Sequence, residues 1–209
     1  MLIDMHTHTD RKSLCSIIDP VDLVRRAEER NLSGIVITEH DYVWTPAEIE
    51  ALKRETKTDL LILRGQEVSS VEGHLLVYGY YETMDCISVE EIMHGVHQQG
   101  GVVLVSHPFR YGDRDGLSIE QVEAEFSRFD GIETLNGNQS SKQNEYGMQV
   151  WKSLGITGIG GSDAHSMNMV GRYVTEFENE ISDESDLIRE LKAGRCRPVL
   201  TSGHAENFV

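Results

Sequence analysis

LIDMHTHTD, residues 2–10, is a short apolar run that ends in two histidines one residue apart. Side chains alternate along an extended chain, so His6 and His8 project from the same face, a ready pair of ligands for one ion. The same device recurs down the chain. Gly34–Thr38 runs into His40, Leu60–Arg64 into Glu67, and Val102–Ser106 into His107. Gly131–Thr134 leads to Asn136 and Asn138, and Thr157–Gly160 to Asp163 and His165. Leu75–Tyr78 differs, because its histidine, His74, comes first; Arg197–Leu200 is either a last strand or a docked tail. These runs are continuous rather than alternating, the pattern of strands covered on both faces.

Helix starts fall between the runs. Asp19-Pro20 places an N-cap before a proline at the first helical position. Thr45…Glu48, Ser88…Glu91 and Ser118…Gln121 read as capping boxes. Two more helices are expected at about 140–154 and 183–193, stopped by Gly155 and Gly194. Strand followed by helix, about seven times over, implies parallel strands, since a parallel neighbour needs a crossover connection. In such folds the strand C-terminal ends gather on one face, so the scattered imidazoles and carboxylates would meet there. That placement favours a barrel over a doubly wound sheet. No linker or repeat interrupts the order, and residues 1–209 are expected to form one domain.

Composition bounds the partners. Apolar residues make up 39% and charged residues 26% of the 209, enough for a buried core and a wet surface. Lys plus Arg is 19 and Asp plus Glu is 35, a net charge of 19 − 35 = −16. So acidic a surface opposes binding to a polynucleotide backbone but admits a small anionic substrate where metal ions supply positive charge. Cys15, Cys86 and Cys196 form no CxxC pair, which fits a reducing compartment. With no leader-like start and no spanning run, a cytoplasmic protein without membrane contact is expected. Imidazole and carboxylate without paired cysteines suit zinc, manganese or iron better than calcium or magnesium. His94 and His97 lie in a predicted helix and His204 in the tail, and none of the three is given a role.

In order, DMHTHT, TEHD, GQEVSS, GHLL, SHPFR, ETLNGN and GSDAH resemble the motif set of the PHP (polymerase and histidinol phosphatase) family, over about residues 3–172. The resemblance implies a distorted (β/α)7 barrel of the PHP type, two or three divalent transition-metal ions, and hydrolysis of phosphate esters. It assigns His6, His8 and Asp163 to one ion, with Glu67 bridging to a second that His74 and His107 complete. His40 and His165 match the ligands of a third. Many members add an Asp or His from the loop after the first strand, and here TDRKSLCSIID offers no clear acid at that place. Asp10 is too close to His8, Asp19 reads as a helix cap, and Ser13 is nearest the family's acidic position. Cys15 could be a soft ligand, but a small buried thiol is the preferred reading.

The chemistry so implied is attack on phosphorus by a metal-bound hydroxide, with the charge of the displaced group offset locally. Glu67, His165 and Arg110 form the expected catalytic set. The Arg110 guanidinium suits a bidentate phosphate clamp, with a surface salt bridge as the alternative. Arg172 is a second candidate. His165 or His40 would protonate the leaving alkoxide if the third ion is absent. Asn136 and Asn138 orient substrate or form a turn. Tyr42, Trp44 and Tyr111 stack on a ring or pack loops.

The leading expectation is therefore a metal-dependent phosphoesterase for a small phosphorylated metabolite or nucleotide. One alternative keeps the metals and changes the bond, as in amidohydrolases that cleave C–N or lactone bonds. Another is a non-catalytic metal-binding PHP scaffold. A polynucleotide exonuclease is disfavoured by the net charge.

Overall fold

The computed structural model describes residues 1–84, 88–110 and 118–201. Cys86, Tyr111 and His204 lie outside the described residues. The helices start where the sequence places them. α1 (Pro20–Glu29) is capped by Asp19, whose carboxylate accepts from the Val21 N–H at 2.7 Å. α2 (Pro46–Thr56), α3 (Val89–Gln98), α4 (Ile119–Phe126) and α5 (Ser141–Leu154) each open on a reciprocal capping box. Such a box satisfies two N–H groups that the first turn would leave unpaired. α6 (Glu184–Lys192) starts at Asp183, and Gly155 and Gly194 take the left-handed conformation just past their helices.

The strands depart from seven parallel units. β1 (Leu2–Thr7), β2 (Gly34–Ile37) and the first part of β3 (Leu61–Ser70) pair in parallel, as do β5 (Val102–Val105), β6 (Gly131–Asn136) and β7 (Thr157–Gly161). Between them β4 (Gly73–Tyr78) runs antiparallel to both β3 and β5. Only Val71 and Glu72 separate β3 from β4, far too few residues for a crossover. β8 (Tyr173–Phe177), absent from the sequence reading, and β9 (Cys196–Leu200) extend the β1 edge as an antiparallel pair. Among the described residues the expected (β/α)7 count is thus replaced by a mixed nine-stranded sheet, in the order β7-β6-β5-β4-β3-β2-β1-β8-β9.

The sheet curls until β7 approaches β1 and β8. At the upper end the Asp163 N–H donates to the His6 carbonyl at 2.8 Å, and Thr7 bridges Ala164. Gly161 permits this approach: a Cβ there would lie 2.4 Å from the His6 Cβ. Lower down, side chains make the join. Thr175 Oγ1 accepts from the Gly160 N–H at 3.0 Å and donates to its carbonyl at 2.9 Å, and Asp4 accepts from the Ser162 N–H at 2.8 Å. The result is a nearly closed, barrel-like sheet.

The continuous apolar runs divide by parity. Ile35 and Ile37 pack outward with Leu23 and Leu52 of α1 and α2, while Val36 packs inward. Val103 and Val105 pack outward with Val96 of α3, while Val102 and Leu104 join Ile3, Met5 and Ile159 inside. Leu187 and Leu191 of α6 belong to the same inner cluster, so α6 plugs one end of the barrel. The strand-end histidines gather at the other. Among the described residues no helix is long and apolar enough to cross a membrane.

Candidate metal centre

Glu67 lies at the middle of the cluster, 1% exposed, with its two oxygens facing different groups. Oε1 is 3.0 Å from His74 Nδ1 and 2.8 Å from His107 Nε2, and accepts from Ser106 Oγ at 2.9 Å. Oε2 is 3.2 Å from both His6 Nε2 and His8 Nε2, and 3.3 Å from His40 Nδ1. His74 reaches this face because the β3–β4 hairpin turns back on itself, so the start of β4 lies beside the end of β3. Among the described residues, three sets of ligand atoms fall within 4.8 Å of one another: His6, His8, Glu67 and Asp163; His40, Glu67 and His74; and His8, His40 and His165. Every metal-ligating position expected from the sequence thus enters one cluster.

Hydrogen bonds fix the proton positions. His6 Nδ1 is 2.9 Å from Glu133 Oε1, and a carboxylate only accepts, so Nδ1 carries the proton and Nε2 a lone pair. Ser13 Oγ gives its own hydrogen to Glu39 at 2.5 Å, so His8 Nδ1, 3.3 Å away, is the donor to it. His8 Nε2 therefore also presents a lone pair, 2.9 Å from that of His6. Two lone pairs so placed need a positive charge between them, a proton or a metal ion. Asp163 Oδ1 adds to the demand: it is buried, accepts no hydrogen bond, and lies 3.3 Å from His8 Nε2 and 3.5 Å from His6 Nε2. Imidazole lone pairs converging with two carboxylates, each ring held by an outer acceptor, form a donor set that fits a divalent transition metal.

The electrostatics agree. Burial acts to lower the His6 pKa, but the carboxylates of Glu133 and Glu67 overcome it and push it up to about 10, a pull for positive charge between the two rings that a proton or a metal ion answers. Burial opposes ionisation of Glu67 too, yet the surrounding imidazoles, His6 first, hold it well below the usual carboxylate range. Burial lowers His40 and His165 to about 4, so both rings are neutral donors near neutral pH. His107 and Asp163 both adopt positive φ, 26° and 49°, a conformation that costs non-glycine residues energy and concentrates at functional sites.

The structure settles the surroundings of several other side chains. Asn136 forms the turn that the sequence allowed, its Oδ1 accepting from the Asn138 N–H at 2.7 Å, and both residues hold Asp163: Asn136 Nδ2 donates to Oδ2 at 3.1 Å, and Asn138 Nδ2 to the main-chain carbonyl at 2.6 Å. Arg110 is 18% exposed and pairs directly with Asp163 Oδ2, so its salt bridge lies within the cluster rather than on the surface. Trp44 is 1% exposed and donates to Glu39 at 3.1 Å, so it is not a stacking platform. Tyr42 donates to Glu48 and lies beneath Lys12, and Arg172 lies over the Tyr173 ring. His97 pairs with Asp130 and His94 with Gln98, apart from the cluster's hydrogen bonds. Cys15 is exposed rather than buried, and its Sγ is 3.1 Å from His165 Nε2.

Glu133 and Glu39 were not singled out by the sequence reading. Glu133 accepts from His6 and, at 2.7 Å, from the His107 N–H; Glu39 holds Thr9, Ser13 and Trp44. Both are fully buried acids. The available signal was an acid inside or directly ending an apolar strand run, a position that demands a partner.

Comparison with known proteins places this geometry in context. Residues 142–196 match the family model described as PHP-associated. An uncharacterized protein of Methanocaldococcus jannaschii is 24% identical over 121 residues, 52% of this chain and 68% of that protein. Solved structures that share the fold include the following three. One, from Bifidobacterium adolescentis, is described provisionally as a metal-dependent phosphoesterase (TM-score 0.61, 19% identity, 92% of this chain and 96% of that one). Another is PsfC from Pseudomonas syringae (0.67, 16%, 96% and 91%). The third is an amidohydrolase from Chromobacterium violaceum with bound sulfate and no metal (0.67, 18%, 96% and 99%).

Proposed function

We propose that this chain, as a member of the PHP family, is a metal-dependent phosphoesterase acting on a small phosphorylated metabolite or nucleotide. The observation that carries the reading is the division of Glu67, whose two oxygens each face a separate group of imidazoles. His6, His8, Glu67 and Asp163 would hold one ion, and Glu67, His74 and His107 a second. Bound there, divalent transition-metal ions supply Lewis acidity toward phosphoryl oxygens and a nucleophile at neutral pH.

The chain's own residues do the rest. Glu133 locks the His6 ring so that Nε2 faces the centre, and Ser106 does the same for Glu67. Arg110 sets a guanidinium at Asp163, where its planar fork can exchange the carboxylate for a phosphate of similar geometry. Asn136 and Asn138 keep Asp163 oriented during that exchange. His165 Nδ1, 2.8 Å from the Asp163 carbonyl, must be protonated to bond there, which leaves Nε2 as its atom for ligation or proton transfer. The net charge of −16 disfavours a polynucleotide and leaves room for a small anion drawn by the cluster.

The test is a manganese- or zinc-supplemented screen over phosphorylated metabolites and nucleotides, run beside amide and lactone panels, with the metal content measured. At least about two ions per chain and turnover confined to phosphate esters are expected. Glu67→Gln should lose at least about a hundredfold in turnover and part of its metal, because a neutral amide cannot balance two cations. Turnover confined to amides or lactones would move the protein to the amidohydrolase reading. Metal uptake with no turnover on any panel would leave the scaffold.

A further inference from the structure

We propose that Asp4 is a positioning residue for the metal centre. Its carboxylate clamps both ends of the segment 162–171, which carries Asp163 and His165, against the strand that carries His6. The proposal rests on reading the strand-end cluster as a metal centre. Asp4 is fully buried in β1, two residues before His6. Oδ1 accepts from the Ser162 N–H at 2.8 Å and from the His6 N–H at 3.4 Å, and Oδ2 accepts from the Gly171 N–H at 2.9 Å. One side chain thus meets the first ligand of β1, the residue before Asp163, and the last residue of the segment.

Packing alone does not call for an acid here. Ile3 and Met5 belong to the inner cluster, so Asp4 lies on the opposite face of β1. Ala164, Val170 and Val174, all fully buried, belong to the outer cluster, and Leu2, on the same face as Asp4, packs against it. A valine or leucine suits such surroundings, whereas a carboxylate is costly there unless its oxygens are bonded. What the carboxylate adds is direction: two acceptor oxygens, one for each end of the segment.

The segment needs such a hold. Asp163 adopts a φ of 49°, which costs a non-glycine residue energy, and Gly171 ends the segment at a φ of 71°, open to glycine at no such cost. The Asp163 N–H to the His6 carbonyl, at 2.8 Å, and the bridge of Thr7 to Ala164 fasten the start of the segment to β1. The Gly171 bond fastens its end, so both ligands lie between points fixed on one carboxylate. Glu67, His74 and His107 come from β3, β4 and the end of β5, outside this clamp. In Asp4→Asn the amide keeps one acceptor oxygen, and its NH2 group meets another donor, so one end of the segment is released.

Hydrogen exchange in wild type tests the clamp before any variant is made. If the clamp sets Asp163 and His165 for the metal, then by linkage the metal tightens the clamp. Zinc should therefore slow exchange of the Ser162 and Gly171 amides at least about tenfold beyond any slowing in β9. Manganese titration of the metal-free proteins, followed by metal analysis and electron paramagnetic resonance, then compares variants without any substrate. Wild type should bind a coupled pair of ions. Asp4→Asn should keep the ion held by Glu67, His74 and His107 and weaken the one held by Asp163 at least about tenfold. It should then show the spectrum of an isolated ion where wild type shows the coupled pair. Leu187→Ala, which thins the inner core at the far end of the barrel, should lower stability to urea and keep the coupled pair, so the spectrum separates positioning from general loosening. If Asp4→Asn does not fold, the wild-type exchange result decides. Equal affinity for the coupled pair in Asp4→Asn and wild type, equal loss of both ions in that variant, or exchange at Ser162 and Gly171 indifferent to zinc would overturn the proposal. No metal uptake by wild type would overturn the metal-centre reading itself, a result distinct from the others.

Discussion

Asp163 Oδ2 serves two partners, Arg110 and Asn136, while Oδ1 serves none. This sharing decides what Arg110→Ala should do. Asn136 Nδ2 still donates to Oδ2 at 3.1 Å in the variant, and Asn138 still holds the main-chain carbonyl, so Asp163 keeps its orientation and the metal content stays near wild type. What is lost is the guanidinium at the place where a phosphate would arrive. Turnover of a phosphate ester should therefore fall by about a hundredfold in kcat/KM, the scale of removing one aligned charge-assisted donor. Arg110→Lys should recover only part of it, since an ammonium keeps the charge without the fork. Metal loss equal to the loss of activity would instead make Arg110 a support for Asp163. Unchanged kcat/KM would give it no part in the reaction.

Among the elements, helices were legible because their ends are written locally. A cap and its return partner lie within four residues, and each box found in the sequence is reciprocal in the structure. Strand direction is not written locally. The run LLVY reads the same whichever way it lies, and only the two-residue connection Val71-Glu72 betrays the antiparallel hairpin. β8 was missed because YVTEF, with Thr175 buried and Glu176 half-buried, lacks the continuous apolar run that marks the inner strands. The ligand histidines stood out by type and place, whereas Glu133 and Glu39, which orient the cluster, lie within the quoted ETLNGN and TEHD segments, where the neighbouring asparagines and histidine drew the reading. Glu190 in α6 is another buried acid, 1% exposed. Arg195 grips it with Nε at 2.7 Å and Nη2 at 2.8 Å, and Asn179 adds 2.8 Å, so one carboxylate joins α6 to the chain leaving β8 and to the turn entering β9. The Arg195 bonds, then that of Asn179, depress its pKa to about 2. A depressed carboxylate contributes stability above its unfolded pKa of about 4.3 and loses it as pH falls through the folded value. Glu190→Gln should cost about 1–3 kcal/mol at neutral pH, and the gap from wild type should narrow between about pH 4 and 2. Urea unfolding across that range checks it; a gap independent of pH would mean the carboxylate's charge contributes nothing.

For the whole molecule, the question is how a sheet that never pairs its last edge to its first stays closed. The strand order ends at β7 on one side and β9 on the other, and side chains span the gap below the main-chain links of Asp163 to His6 and of Ala164 to Thr7. Thr175 of β8 both donates to and accepts from the Gly160 main chain, within a wall where Ile159, Val174 and Phe177 are buried. Closure matters to the site because Asp163 lies three residues beyond Gly160 and must meet His6 across the seam, at the 2.8 Å bond between their main chains. Thr175→Val keeps the volume and removes both side-chain bonds, leaving a buried N–H and a buried carbonyl without those partners. Each such group costs about 1–3 kcal/mol, so the variant should lose about 2–5 kcal/mol in urea unfolding. Metal affinity should fall with it, since a looser seam lets Asp163 drift from His6 and His8, and calorimetric titration with zinc reads that directly. Thr175→Ser, which keeps the hydroxyl and loses a methyl, should hold the metal as wild type does and lose only about 1 kcal/mol of packing. If valine is as stable as threonine, the apolar wall alone closes the barrel. If valine destabilises the fold but leaves zinc affinity untouched, the seam and the metal centre are mechanically independent.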